Sequence, residues 1–365
     1  MEHHDAIIIG GGFAGAATAW WLKRFGVERI LVLEKEEVPG AHASGKNAGI
    51  ARQAIHETPV AILASRSVSF MRTPPGGFSD VQLLSPNGGY LVSARPADPE
   101  IEHLRKTALA AGVFTYPIDR NELLQRVPVL ESAPFQSALA CPNDGFVDIH
   151  ALLTAYLRDI KVKTGSGVTG FIRKGRKITA VETEQDTYQA DWVVNASGAW
   201  SAFVGDMAGA VHLPLVPRRR HLLHTGLLEW VNPKGPYVWS VDPMIYFRPE
   251  SGGLLLSPCD ESDSEPCTPA SDPDATTWLA DRLEDAIPRM ANLPVARVWS
   301  ELRCFVPDGC FVIGRDPSVS NFMWVCSLGG HGMTTSAAVG ELAAQLLTGK
   351  EPFVDPAPYK PGRFS

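Results

Sequence analysis

The chain has no stretch of about 18 apolar residues and so offers no transmembrane helix candidate. It also lacks any run of five or six like charges, and its formal net charge is -7, which argues against nucleic acid or an anionic membrane as the main partner. Cysteine is sparse. Cys141, Cys259, Cys267, Cys304, Cys310 and Cys326 are scattered without C-x-x-C pairs or nearby histidines in zinc-ligand spacing, so no metal site is expected and the thiols read as reduced and structural. Cys259 and Cys267 are near enough to meet in a loop, but a cytosolic disulfide is not expected. The start, Met1-Glu2-His3-His4-Asp5, lacks the basic region of a signal peptide. The expected location is cytoplasmic.

What is present is ordinary globular composition, 45% hydrophobic and 20% charged over 365 residues, enough chain for about two domains. The first forty residues organise it. Ala6-Ile7-Ile8-Ile9 reads as a buried strand and runs into Gly10-Gly11-Gly12-Phe13-Ala14-Gly15; a helical pattern follows to Lys23 and Arg24, then a second strand, Arg29 to Leu33, ends on Glu34. That is β-α-β with G-x-G-x-x-G at the first turn and an acid about 20 residues on, the dinucleotide-binding fingerprint. Gly10 permits a turn with positive φ, Gly12 lets the backbone approach a pyrophosphate, and Gly15 lets helix and strand pack closely. The helix N-terminus suits the phosphates, and Glu34 suits ribose hydroxyls. FAD and NAD share this adenosine end, so the fingerprint does not choose between them.

Further along, Pro39 to Gln53 is small and polar, with a helix expected from about Asn47, so a second loop and helix start could face the same ligand. A helix over 61–71 ends at Pro74-Pro75-Gly76-Gly77, where a boundary is expected. Val81–Ser85, the turn Pro86 to Gly89 and Tyr90–Ser93 read as a β-hairpin opening a second unit. Helices are expected over 98–112, from Asp119, after Val147, and over 275–291. Asp191 to Asn195 is an apolar strand ending in Ala196-Ser197-Gly198, as a parallel sheet requires where a ligand crosses its carboxyl edge. Residues 213–300 are strand-rich. Near the end, the strand Asn321 to Ser327 meets Leu328-Gly329-Gly330-His331-Gly332-Met333-Thr334-Thr335 and a helix over Ser336 to Leu347. A second glycine-rich strand-to-helix turn suits FAD better than NAD.

Four of these stretches, GGGFAGAATAWWL, VVNASGAWS, LRCFVPDGCFVIG and SLGGHGMTTSAAVGELAAQLL, resemble in sequence and order the FAD-dependent D-amino-acid oxidase family, which includes glycine and sarcosine oxidases and D-arginine dehydrogenase. The resemblance implies an α/β chain with a Rossmann-like FAD-binding domain over 1–75, 145–212 and 300–365, interleaved with an antiparallel-sheet substrate domain over 76–144 and 213–299. It implies that Gly10, Gly12, Phe13, Ala14, Gly15, Glu34 and Lys35 hold the AMP half of FAD. Ala43, Ser44, Gly45, Lys46, Asn47 and Ala48 would form the loop beside pyrophosphate and flavin. Val168, Ala196, Gly198 and Trp200 would form a second cofactor segment. Gly329, Gly330, His331, Gly332, Met333 and Thr334 would lie under the isoalloxazine ring. The FAD is expected to be non-covalent, because Cys304 is about three residues out of register with the attachment cysteine of covalent sarcosine oxidases.

For the substrate, Arg303 aligns with the family arginine that grips a carboxylate, and a guanidinium supplies the planar fork for that grip. Arg219 and Arg220 follow a proline where the family has an arginine segment. Tyr246 resembles a pocket tyrosine, and His331 stands where it could tune the flavin or orient substrate. The implied reaction is oxidation of a D-amino acid or secondary amine by hydride transfer from Cα to flavin N5, giving an imine that hydrolyses to the 2-oxo acid, with the electron acceptor unassigned. Two alternatives remain: a 2-hydroxy-acid dehydrogenase of the 2-hydroxyglutarate type, which needs a base such as His331 or His42, and a flavoprotein subunit that passes electrons to a partner protein.

Overall fold

The computed structural model describes residues 2–364. The β-branched run near the N-terminus forms the strand His3–Ile9, with Ala6, Ile7 and Ile8 fully buried, as expected of a strand covered on both faces. It pairs in parallel with Ile30–Leu33 on one side and Thr187–Asn195 on the other. Lys161–Lys163 and Phe322–Cys326 extend the parallel set at its two sides. Val312–Arg315 and the hairpin Val168–Lys174 with Lys177–Thr183 complete eight strands.

Three helices cover one face. Phe13–Arg24 and Ser336–Thr348 touch because Gly340 has no side chain: a Cβ there would lie 2.5 Å from the Ala17 carbonyl carbon. Thr58–Arg72 is pinned to the C-terminal helix by a bidentate Arg66–Glu341 pair at 2.6 and 2.7 Å. Ile8, Val32, Val194 and Val325 pack into this layer against Leu63, Val339 and Leu342; each aliphatic side chain so buried contributes roughly 1.5–3 kcal/mol. On the other face, Ile7, Leu31 and Val193 pack with Val181, Tyr188 and Val204.

A second, nine-stranded sheet runs in the order Ser262–Asp263, Val216–His224, Gly253–Ser257, Met244–Glu250, Tyr237–Asp242, Gly89–Ser93, Ser137–Cys141 and Tyr116–Pro117, with Arg297–Phe305 paired along the free edge of Val216–His224. Its pairings are antiparallel except Tyr237–Asp242 with Gly89–Ser93. Period-2 alternation sorts its faces: Ile245 and Phe247 pack toward Leu279 and Leu283 of the helix Ala275–Ala286, leaving Tyr246 on the opposite face.

The structure departs from expectation in three places. No helix starts near Asn47. Its side chain accepts the Gly49 N–H at 2.8 Å and donates to the Ser44 carbonyl at 2.7 Å, closing a turn instead, and Ile50–Ala51 then pairs with Gly145–Val147 in a small third sheet. The hairpin expected over 81–93 does not form either. Leu84–Ser85 joins that third sheet while Gly89–Ser93 enters the nine-stranded one, and the bare Gly89 accommodates the Tyr237 ring. Finally, Arg297–Phe305 belongs to the antiparallel sheet, so that sheet continues past residue 300. All six cysteines are free thiols.

Candidate active site

A cavity of about 790 Å³ lies between the carboxyl ends of the parallel strands and the second sheet. At its outer end, Gly10 has φ +106°, and a Cβ there would sit 2.5 Å from the Ala196 carbonyl oxygen, so glycine is required for the turn to pass under the neighbouring strand end. Gly12 caps the helix Phe13–Arg24 in extended conformation without a side chain of its own to cap it, and the Ala14 amide keeps its donor for a ligand. The Phe13 N–H donates to Ser44 Oγ at 3.0 Å, which fastens the second loop onto this helix start. Glu34 is buried, and each of its carboxylate oxygens accepts one backbone N–H, from Gly11 at 2.8 Å and Glu36 at 2.9 Å, with lone pairs left over for hydroxyl groups.

The cavity is also lined by Ala14, Lys35, Ala43, Lys46, Asn47 and Ala48, by Val168, Ala196, Gly198 and Trp200, and by the whole turn Gly329 to Thr334. Gly329 and Gly330 have positive φ, and the amides of Gly332, Met333 and Thr334 have no hydrogen-bond partner among the described residues. Two expected cofactor residues fall outside the lining. Gly15 backs onto the Gly10 carbonyl oxygen, where any Cβ would collide; its role is close packing of helix on turn. Gly45 would put a Cβ 2.5 Å from the Gly40 carbonyl oxygen and shapes the loop from behind. A helix start that keeps a free amide at Ala14, a buried acid at the second strand's end and a distant turn with free amides, all on one cavity, fit an FAD.

The loop beside the cofactor is tied to the second sheet by charge. His42 Nε2 lies 2.8 Å from Glu36 and its Nδ1 3.7 Å from Glu301, while Lys46 Nζ is 2.5 Å from Glu301. The Glu301 carboxylate, reinforced by Glu36 against the cost of burial, holds the His42 imidazole above its ordinary value. Trp299 Nε1 donates to the Lys46 carbonyl at 3.0 Å, and Lys35 Nζ sits 3.7 Å from the centre of the Trp200 ring.

At the inner end, Arg303 Nη2 is 2.6 Å from Glu261 Oε1, and Arg220 Nη2 reaches the same oxygen at 2.7 Å. Burial, with the Arg220 charge beside it, lowers the Arg303 guanidinium to about 10, still a cation at neutral pH. Its Nε is buried without a partner. Tyr246 stacks on Trp239 with ring centres 4.4 Å apart, and the Arg52 guanidinium lies 4.0 Å over Trp239. Burial, with Arg52, Arg303 and Arg220 nearby, depresses His331 to about 3, so its imidazole is neutral. Burial raises the Cys304 thiol to about 12.

Arg303, Arg220, Tyr246 and His331 therefore converge, and Arg219 does not. Strand alternation turns Arg219 away from the cavity, where it pairs with Asp272 at 2.9 Å and donates to the Ala270 carbonyl. Arg52, Trp239, Glu261 and Glu301 are the site residues that sequence reasoning assigned no role. Only the pairing of distant strands brings them together.

The sequence profile of the DAO family, described as FAD dependent oxidoreductase, matches residues 5–346. Among curated relatives, the chain is 25% identical to FAD-dependent oxidoreductase domain-containing protein 1 of Bos taurus, over all of this chain and 85% of that protein. It is 24% identical to 4-methylaminobutanoate oxidase (formaldehyde-forming) of Paenarthrobacter nicotinovorans, over all of this chain but only 46% of the oxidase; dimethylglycine dehydrogenase of Rattus norvegicus is likewise spanned over 45% of its length, at 22% identity. In fold, L-proline dehydrogenase from P. horikoshii superposes with a TM-score of 0.88 at 23% identity, covering 100% of this chain and 98% of that one. Glycine oxidase from Geobacillus kaustophilus gives 0.84 at 22%, covering 99% of each. No helix among the described residues is long and apolar enough to cross a membrane. With a profile match over nearly its whole length and a cavity built for the cofactor, the chain belongs to the FAD dependent oxidoreductase (DAO) family and is an FAD-dependent enzyme.

Proposed function

We propose that the protein oxidises an amino acid or N-alkyl amino acid at the carbon bearing nitrogen, giving an imine that hydrolyses in water. The observation that carries this reading is the Arg303 guanidinium on the cavity wall, which spends Nη2 on Glu261 and has no hydrogen bond at Nη1 among the described residues, leaving donors for a carboxylate. The eight-stranded sheet and its loops hold FAD through Gly10, Gly12, Glu34, Ser44 and the Gly329–Thr334 turn, and the nine-stranded sheet presents the substrate. Bound FAD supplies the two-electron acceptor. Arg303 fixes the carboxylate, and the Tyr246–Trp239 stack forms an apolar wall that excludes water and limits rotation of the substrate. The amine binds as the free base, so no side-chain base is required. Neighbouring names agree with such substrates: the relatives include sarcosine and dimethylglycine dehydrogenases.

The 2-hydroxy-acid alternative needs a base to take the hydroxyl proton. His331, held near 3, is too weak, and His42 has its ring nitrogens turned to carboxylates, Nε2 to Glu36 at 2.8 Å and Nδ1 to Glu301 at 3.7 Å. Anaerobic titration of the yellow holoenzyme with D- and L-amino acids, N-methyl amino acids and 2-hydroxy acids tests the proposal. Bleaching by carboxylate-bearing amines supports it; bleaching by hydroxy acids alone, or by no carboxylate, sinks it.

A further inference from the structure

We infer that the substrate carries two carboxylates, and that Arg52 holds the second. The inference rests on the amino-acid reading above and narrows it to a substrate class. Three guanidiniums, Arg52, Arg220 and Arg303, line the inner cavity, and the carboxylate there, Glu261, pairs with Arg220 and Arg303. Arg220 is matched by Glu261: its Nε donates to the Asp260 carbonyl at 3.0 Å, and its Nη2 to the Cys259 carbonyl at 3.3 Å and to Glu261. Arg303 shares that same carboxylate through Nη2 and has no hydrogen bond at Nη1 among the described residues, which one ligand carboxylate satisfies.

Arg52 is then left over. Among the described residues it has no ion pair and no hydrogen bond; its Nε is buried, and its one specific contact is the face of Trp239 at 4.0 Å. The other acids near it are committed elsewhere. Asp144, close enough to feel its charge, accepts from Tyr237 Oη at 2.6 Å and Gln53 Nε2 at 2.9 Å, and at the cavity mouth Glu57 and Glu100 lie 3.5 and 3.9 Å from His56. A cavity-lining guanidinium with no anion beside it is uncompensated positive charge, and a ligand carboxylate is the group whose charge and geometry match it.

Arg52 and Arg303 stand on separate supports. Arg52 follows the short strand Ile50–Ala51 and lies on Trp239, whereas Arg303 projects from Arg297–Phe305 over Gly330. The Tyr246–Trp239 stack offers an apolar shelf for a short alkyl spacer. The class is thus an acidic amino acid, or an amino acid with a carboxyalkyl group on nitrogen.

The test uses the holoenzyme and ligands that cannot be oxidised. Calorimetry compares glutarate and succinate with butyrate and propionate, in wild type, Arg52→Met and Arg52→Lys, with the visible flavin spectrum confirming that each variant is folded and loaded. The dicarboxylates should bind at least about tenfold more tightly, the effect of one charge-assisted hydrogen bond. That preference should vanish in Arg52→Met and return in part in Arg52→Lys. Equal binding of both classes by wild type, or an equal loss for both in Arg52→Met, overturns the inference, the latter because both arginines would then grip one carboxylate. In anaerobic titration, monocarboxylic amines that bleach the flavin as readily as dicarboxylic ones also overturn it while leaving the amino-acid reading intact. Failure of every carboxylate-bearing amine to bleach removes that reading as well.

Discussion

Arg303 and Glu261 share an ion pair in which Nη2 meets Oε1 at 2.6 Å, and this contact leaves Nη1, which has no hydrogen bond among the described residues, for the cavity that Arg303 lines. The acid aims the arginine. Replacing Arg303 by Gln removes the fork and leaves Glu261 to Arg220 and Arg218, so kcat/KM should fall by about a hundredfold or more. Arg303→Lys keeps the charge without the fork and should recover little of the loss. Steady-state kinetics with the best bleaching substrate checks both, and the flavin content should not change.

Gly330 sits under the same guanidinium. Its φ is +87°, and an added Cβ would lie 2.8 Å from Arg303 Cδ and Nη1. Gly330→Ala should therefore displace the arginine and strain the turn by about 1 kcal/mol or more. KM should rise more than kcat falls, with a modest drop in melting temperature. An unchanged KM would mean that Arg303 is not where substrate binds.

The cofactor end of the site was legible from sequence because its signals are local. Gly10, Gly12, Gly15 and Glu34 occupy one β-α-β unit, and Gly329 to Thr334 follow their strand directly. The substrate end was only partly legible. Arg303 and Tyr246 stood out through resemblance, but Glu261, Trp239 and Arg52 reach the cavity from three strand or loop segments whose adjacency depends on register in a nine-stranded sheet. Arg219 and Arg220 differ only in which side of one strand they occupy, which composition does not reveal. The helix expected at Asn47 failed because an Asn side chain competes with the backbone for hydrogen bonds, and the hairpin expected over 81–93 failed because its two halves find better partners in different sheets.

Arg219 offers the matching control. Its pair with Asp272 is about a quarter exposed on both sides and lies outside the cavity. Arg219→Ala should cost no more than about 1 kcal/mol of stability and leave kcat/KM within about twofold, whereas Arg220→Ala, which removes a partner of Glu261, should lower it severalfold or more. Equal damage from both would contradict the strand's alternation.

Gly15 tests the cofactor cradle. Any side chain there meets the Gly10 carbonyl oxygen, so Gly15→Ala must separate the helix Phe13–Arg24 from the turn it caps. The expected result is protein purified with less flavin, read from the ratio of visible to ultraviolet absorbance, and a lower melting temperature that added FAD partly restores.

His42 links stability to pH. Glu301 and, secondarily, Glu36 raise its pKa above the ordinary 6.5, so the folded state binds this proton more tightly than the unfolded chain does. The resulting stabilisation is fully present below about pH 6.5 and is lost as pH rises through the folded value. Other perturbed groups act in other windows. His331, lowered to about 3, makes stability rise between that value and 6.5 and adds no slope above it. Asp144, raised from 3.8 to about 6, makes stability fall between those values and is likewise flat beyond. Between about pH 6.5 and 7.5 the decline should therefore belong mainly to His42; from about pH 8 upward the thiols of Cys141, Cys259, Cys304, Cys310 and Cys326, all raised by burial, add a decline of the same sign. His42→Gln should lower the melting temperature at pH 6.5 and flatten the curve between pH 6.5 and 7.5. Because His42 joins the cofactor loop to Arg297–Phe305 through Glu301, flavin release on dilution should quicken over the same window in wild type. A slope that persists unchanged in His42→Gln would show that the Glu36–His42–Glu301 bridge does not carry this linkage.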